Sequence, residues 1–195
     1  MSRLDDAINL RAYPIMRDSF ITACKKKFEK DGLLLLDKFL MDDAIETLVE
    51  EAERLKGNAF YTKSTHNVYL TPPPSPDSVL FDDPNHISVR QLQSSKGCIC
   101  TDQIPRESIL KTIYNSEVFR TFVSSVVGVP NVYEYADPLA SINVHYANEG
   151  QNLNWHFDNS EFAITLLLQK PLGGGVFQYV RDVRDADKED FNYEV

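Results

Sequence analysis

The sequence predicts an α+β chain in which an N-terminal helical layer precedes a jelly roll, a double-stranded β-helix whose C-terminal strands are missing. Three observations lead there. Apolar residues recur at helical spacing through much of the first 130 residues. After Val132 they fall instead into short runs separated by turn residues. The chain has 195 residues, enough for one domain with a real core and too short for two comfortable ones.

The elements follow in order. Asp18 to Lys30 reads as a helix with Phe20, Ile21, Cys24 and Phe28 on one side, ended by Asp31-Gly32. Leu33 to Leu36 reads as a short buried strand. A second helix begins near Asp43, where Asp43-Ala44-Ile45-Glu46 has capping-box spacing, and stops at Gly57. Its apolar positions are Ile45, Leu48, Val49, Ala52 and Leu55. Four of the ten prolines lie between Thr71 and Pro76, a rigid extended loop. Strand signals resume at Ile87 to Leu92 and around Cys98 to Cys100. Helices are predicted from Glu107 to Tyr114 and from Ser116 to Gly128, with Pro130 as a stop.

Val132–Tyr135, Leu139–Tyr146, Leu153–Phe157, Phe162–Gln169 and Val176–Val180 then read as strands. A roll needs eight strands, so the expected domain, residues 18–195 behind an extension of residues 1–17, is incomplete at its C-terminus. Asp182 to Glu194 reads as an acidic loop or tail.

Composition narrows the function classes. A formal charge of −9 disfavours attraction to nucleic acid or to an anionic membrane surface. The triplet Lys25-Lys26-Lys27 fits a solvated helix face. Asp5 and Asp6 and the lack of an apolar core argue against a secretory signal, and no apolar run is long enough to span a bilayer. Cys24, Cys98 and Cys100 form no disulfide framework. A cytoplasmic location with reduced thiols is expected, with the oligomeric state left open.

The chemistry concentrates at Trp155-His156-Phe157-Asp158. On a strand, residues i and i+2 share a face, so His156 and Asp158 could grip one metal ion together while Trp155 and Phe157 anchor the other side. A second histidine would complete the facial triad of a non-haem iron(II) oxygenase. The competing reading is a histidine at a strand end beside a turn-forming Asp-Asn. The other histidines, His66, His86 and His145, all precede the pair. His66 and His86, each in a polar loop, are expected to be exposed and not ligands. His145 is a candidate to approach the metal or a structural histidine, and Asn143 shares its face as a candidate co-substrate contact or a barrel-lining amide. Asn159 and Glu161 flank the pair as candidate substrate contacts, although turn chemistry accounts equally for Asn159. The loop of Tyr69, Thr71 and Pro72 to Pro74 is a candidate cover or a surface connector. There is no Gly-x-Ser-x-Gly elbow, and Gly173 to Gly175 lacks the lysine and helix of a phosphate loop.

Several motifs together resemble a known family. They are Asp137-Pro138-Leu139, Ile142-Asn143-Val144, the His156/Asp158 run with Ser160-Glu161-Phe162, Thr165 to Gln169, and Gly174 to Val180. Phe28 to Leu40 and Lys96-Gly97 through Pro105 add weaker likeness. The chain resembles the iron(II)/2-oxoglutarate-dependent oxygenases of cupin-like fold, most closely the branch of free-amino-acid radical halogenases and related hydroxylases. The resemblance implies iron(II) as metal and 2-oxoglutarate as co-substrate. It also implies ligation by His156, Asp158 and a distal histidine, and an arginine on the far carboxylate of 2-oxoglutarate. In halogenating members a small residue replaces the carboxylate and leaves room for chloride. Asp158 therefore favours hydroxylation of an aliphatic C–H in a small polar substrate such as a free amino acid.

No histidine follows Asp158, and Arg181 and Arg184 follow too closely to serve as that arginine. The alternative is a truncated, non-catalytic member of the same fold that acts as a binding or interaction protein.

Overall fold

The computed structural model describes residues 3–72, 75–77, 83, 85–137, 139–181 and 183. The chain divides into two compact units, one of Met1–Ala59 with Ile99–Val144, the other of Phe60–Cys98 with His145–Val195.

The first unit is helical. It contains α1 (Leu4–Ala7), α2 (Asp18–Asp31), α3 (Asp42–Leu55), α4 (Ile109–Tyr114) and α5 (Glu117–Val127), with short 3-10 turns at Lys56–Asn58 and Thr101–Gln103. Helix α2 ends where Gly32 takes the left-handed conformation (φ 66°), which releases its N–H to the carbonyl of Phe28. Gly128 ends α5 in the same way at φ 88°. Ser108 and Ser116 cap α4 and α5 by accepting from the N–H groups of Leu110 and Phe119. The capping box anticipated at Asp43 is not made: α3 starts at Asp42 behind Met41, without a side-chain cap.

Helices α2 and α5 pack through Phe20 stacked on Phe122, with ring centroids 6.0 Å apart. Tyr13, Phe39 and Phe119 continue the aromatic core. Ala7, Ile8 and Ile15 are fully buried, so the first seventeen residues contribute to this core. The strand expected at Leu33–Leu36 does not form, and Leu35 is exposed. Pairing occurs a few residues later, where Ile8 bridges Leu40. Asn9 N–H donates to Phe39 O and Met41 N–H to Ala7 O.

The sheet has three strands, β1 (Phe60–His66), β2 (Leu92–Ile99) and β3 (Val144–Tyr146), in the order β1-β2-β3. Strands β1 and β2 run antiparallel, from Phe60 opposite Cys98 to His66 opposite Leu92. Strand β1 carries no strong apolar alternation and escaped the sequence reading. Ile87 to Val89 form turns, so β2 starts at the end of the run expected to be a strand.

The jelly roll is the main correction. Among the described residues there is this open sheet and no closed double-stranded β-helix, and helix dominates the regular structure. Of the five runs read as strands after Val132, only Val144–Tyr146 forms one. Strand composition does not make a strand unless the backbone finds a partner. Among the described residues, none from Phe162 to Val180 makes a backbone hydrogen bond. Most of their side chains remain outside, with Leu167 72% and Phe177 74% exposed, while Phe162, Leu166 and Leu168 are half-buried.

Candidate functional site

The turn at Asn148–Gln151 brings the chain back toward β2 after β3. It is closed by Gln151 N–H donating to Asn148 O and by Gly150 at φ 78°. Ser95 N–H then donates to Asn152 O (2.8 Å), and the Asn154 side-chain amide donates to Gln93 O. Asn154 is left-handed (φ 55°), a conformation asparagine tolerates better than most residues. The reversal there turns the following residues away from a strand. Leu153–Phe157, expected as a strand, is an irregular segment pinned to β2.

His156 and Asp158 nevertheless meet, with His156 Nε2 3.4 Å from Asp158 Oδ1. His156 Nδ1 lies 2.9 Å from Asn154 O. A proton on Nδ1 donated to that carbonyl leaves the Nε2 lone pair facing the carboxylate, the tautomer a metal-ligating imidazole adopts. Phe157 anchors the segment: its N–H donates to Val68 O (2.7 Å), and its ring stacks on the buried Tyr69 at 5.3 Å. Trp155 was expected to share that role, but it is 48% exposed.

His66, at the end of β1, is the second imidazole here, its ring 5.8 Å from that of His156 and nearly perpendicular to it. Both its nitrogens are engaged by backbone carbonyls, Nδ1 by Asn67 O at 2.9 Å and Nε2 by Leu153 O at 3.1 Å. Only the nitrogen that carries the proton donates, and with both ring nitrogens turned to backbone carbonyls the ring braces the loop. The sequence reading left His66 in a polar loop, because the β1 pairing that positions it was not visible. Next to it, Asn67 is 1% exposed. Its amide donates to Ser88 O, Thr71 O and Thr71 Oγ1, while its Oδ1 accepts from Tyr69 and Thr71 N–H. This network fixes the loop that carries Tyr69 and Thr71; Pro73 and Pro74 lie outside the described residues.

The other anticipated residues are placed elsewhere. His145, on β3, faces Lys96 Nζ at 3.4 Å. Asn143 donates to Ala140 O (3.1 Å). Asn159 and Glu161 are exposed, His86 pairs with Ser88 Oγ at 2.7 Å, and Arg181 is exposed. Arg184 and the acidic run Asp182 to Glu194 fall outside the described residues, except Val183.

Tested against an iron(II) centre with chelated 2-oxoglutarate, this donor set does not fit. Among the described residues no group of three or more His, Cys, Asp or Glu side chains is placed to hold a metal ion, and the pair has no third partner. Two concavities, of about 360 and 390 Å³, are lined by neither His156 nor Asp158. The expectation of a 2-oxoglutarate-dependent hydroxylase is therefore corrected: the described residues show neither the barrel nor the ligand triad on which that assignment depended. No helix among the described residues is long and apolar enough to cross a membrane.

Compared with known proteins, residues 92–194, more than half of the chain, match the model of the family described as Halogenase D. Neither a curated protein nor a solved structure matches.

Proposed function

The chain belongs to the Halogenase D family, and on that premise we propose that it is a non-catalytic binding or interaction protein, not an oxygenase. The observation that carries this reading is the segment Phe162–Val180, apolar in sequence, half-buried at Phe162, Leu166 and Leu168 and otherwise exposed, and without backbone pairing among the described residues. Residues Phe162 to Gln169 include no charge and no proline. Those are the devices that normally keep an unpaired strand from adding to another. An extended, uncharged segment of this kind binds by strand addition, in which main-chain hydrogen bonds supply affinity and alternate side chains supply selectivity.

Two measurements test the reading. With iron(II), 2-oxoglutarate and a panel of free amino acids, succinate release is expected to stay at the level without protein; substrate-dependent succinate would overturn the proposal. In the second, a synthetic peptide with the sequence of residues 162–169 serves as a model partner strand. Amide exchange across Phe162–Gln169 is expected to be fast in the protein alone and to slow with saturable dependence on peptide. Unchanged exchange at all peptide concentrations would remove the binding role from this segment.

His156 and Asp158 support a weaker, separate role as a two-donor site for a divalent cation. The support is the 3.4 Å approach and the orienting carbonyl of Asn154. Nickel(II) would broaden the His156 ring resonances in rapid exchange, and Asp158→Asn would reduce the effect.

A further inference from the structure

Lys96 is half-buried near the centre of β2, in a chain with 29 Asp and Glu against 20 Lys and Arg. Three lysines of the helical unit pair with carboxylates, Lys25 with Glu29, Lys27 with Asp31 and Lys56 with Glu53, while Lys111 donates to Ile104 O. Lys96 has no such carboxylate among the described residues. Its ammonium points instead to the imidazole of His145, with Nζ 3.4 Å from Nε2. The contact is exposed, and an anion arriving there meets an ammonium that no carboxylate among the described residues compensates.

The sheet register supplies the surroundings. Lys96 lies opposite Thr62, and Ser94, two residues along β2, lies opposite Ser64. Alternation sets Thr62, Ser64, Ser94 and Lys96 on one face, and the contact with Lys96 brings His145 to the same place. This face therefore offers an ammonium, an imidazole and the hydroxyls of Ser64 and Ser94, beside Thr62, whose hydroxyl donates to Lys96 O; among the described residues no carboxylate is paired with Lys96.

We propose that Lys96 and His145 form a receptor for a small oxyanion, a carboxylate or a phosphate, on this face of the sheet. Lys96 Nζ supplies the charge. His145 Nε2 accepts from Lys96 in the free protein and, once protonated, donates to the bound oxyanion. Ammonium and imidazolium then flank one negative group with charge-assisted hydrogen bonds. The site is separate from the segment assigned to strand binding and does not depend on that assignment.

Titration of the labelled full chain with succinate and with inorganic phosphate, each at constant ionic strength, tests it. Saturable shifts of the Lys96 and His145 resonances are expected with at least one anion, and the one that saturates identifies the source. Lys96→Gln should weaken binding at least tenfold, whereas Lys96→Arg should retain it and His145→Gln should weaken it several-fold. Linear shifts with both anions would overturn the proposal. So would Lys96→Gln binding as tightly as wild type. If Lys96→Gln does not give a folded spectrum, the contrast between Lys96→Arg and His145→Gln decides the same question, and equal affinity in those two variants refutes it.

Discussion

Replacing Ser108 by alanine removes two interactions from the buried side of the helical unit. Ser108 is 3% exposed and Glu51, on α3, is 8% exposed. The Ser108 hydroxyl donates to Glu51 Oε1 at 2.6 Å, and the same oxygen accepts from Leu110 N–H at 3.2 Å as the cap of α4. Loss of a serine cap costs about 1 kcal/mol. Leaving a buried carboxylate oxygen without its donor costs roughly 1–3 kcal/mol more. Ser108→Ala is therefore expected to lose about 2–4 kcal/mol. With a urea dependence of about 2 kcal/mol/M, the midpoint falls by about 1–2 M. Far-UV circular dichroism is the suitable probe, because its helical signal comes from the unit that contains both residues.

Glu51→Gln keeps an acceptor oxygen and should cost less than Ser108→Ala. In the cycle combining the two changes, the double variant should be less destabilised than the sum of the singles, by about 0.5 kcal/mol or more. A loss below about 0.5 kcal/mol for Ser108→Ala, or strict additivity in the cycle, would refute the assignment of Glu51 and Ser108 as a coupled buried pair.

Asn67→Asp should be among the most damaging single changes in the second unit. A carboxylate cannot donate to Ser88 O or Thr71 O, so about 3 kcal/mol or more is lost, read by urea unfolding through the single tryptophan, Trp155. His145 gives a pH dependence. Burial, and then the Lys96 ammonium, hold its pKa below the ordinary 6.5. The unfolded chain therefore takes up the proton first, and the stabilising contribution is present above about pH 6.5 and lost as the pH falls below it. Because the imidazole keeps part of its surface in water, the effect is small. His145→Gln should flatten that part of the stability profile; an unchanged slope would show that other groups set it. Burial pushes the Cys24 thiol above its usual 9.0, so iodoacetamide at mildly alkaline pH should modify half-buried Cys100 first and reach Cys24 only on unfolding. Equal rates would place Cys24 at the surface.

The helical half was legible because its signals are local. Period and the glycines at 32 and 128 are each read within one or two turns, and α2, α4 and α5 form close to the expected places. At the candidate site, the meeting of His156 and Asp158 needs only their two-residue separation, so the sequence could suggest it. What it suggested wrongly was the means: the pair sits in a loop reversed at Asn154, not on a strand. The burial of Glu51 was not read from the sequence, because its partner Ser108 is 57 residues away.

The sequence by itself determined the net acidity, the approximate spans of α2, α4 and α5 and the glycine stops of α2 and α5, and it singled out His156 and Asp158 as candidate donors. The tertiary structure alone decided which apolar runs become strands. Phe162–Gln169 has the composition of a buried strand and remains unpaired, whereas the polar run Phe60–His66 pairs along its whole length with β2. It also set His66 against backbone carbonyls and Lys96 against His145. The physical reason is common to all of these: a helix satisfies its hydrogen bonds within itself, while a strand or an ion's environment depends on a distant neighbour whose arrival composition does not specify.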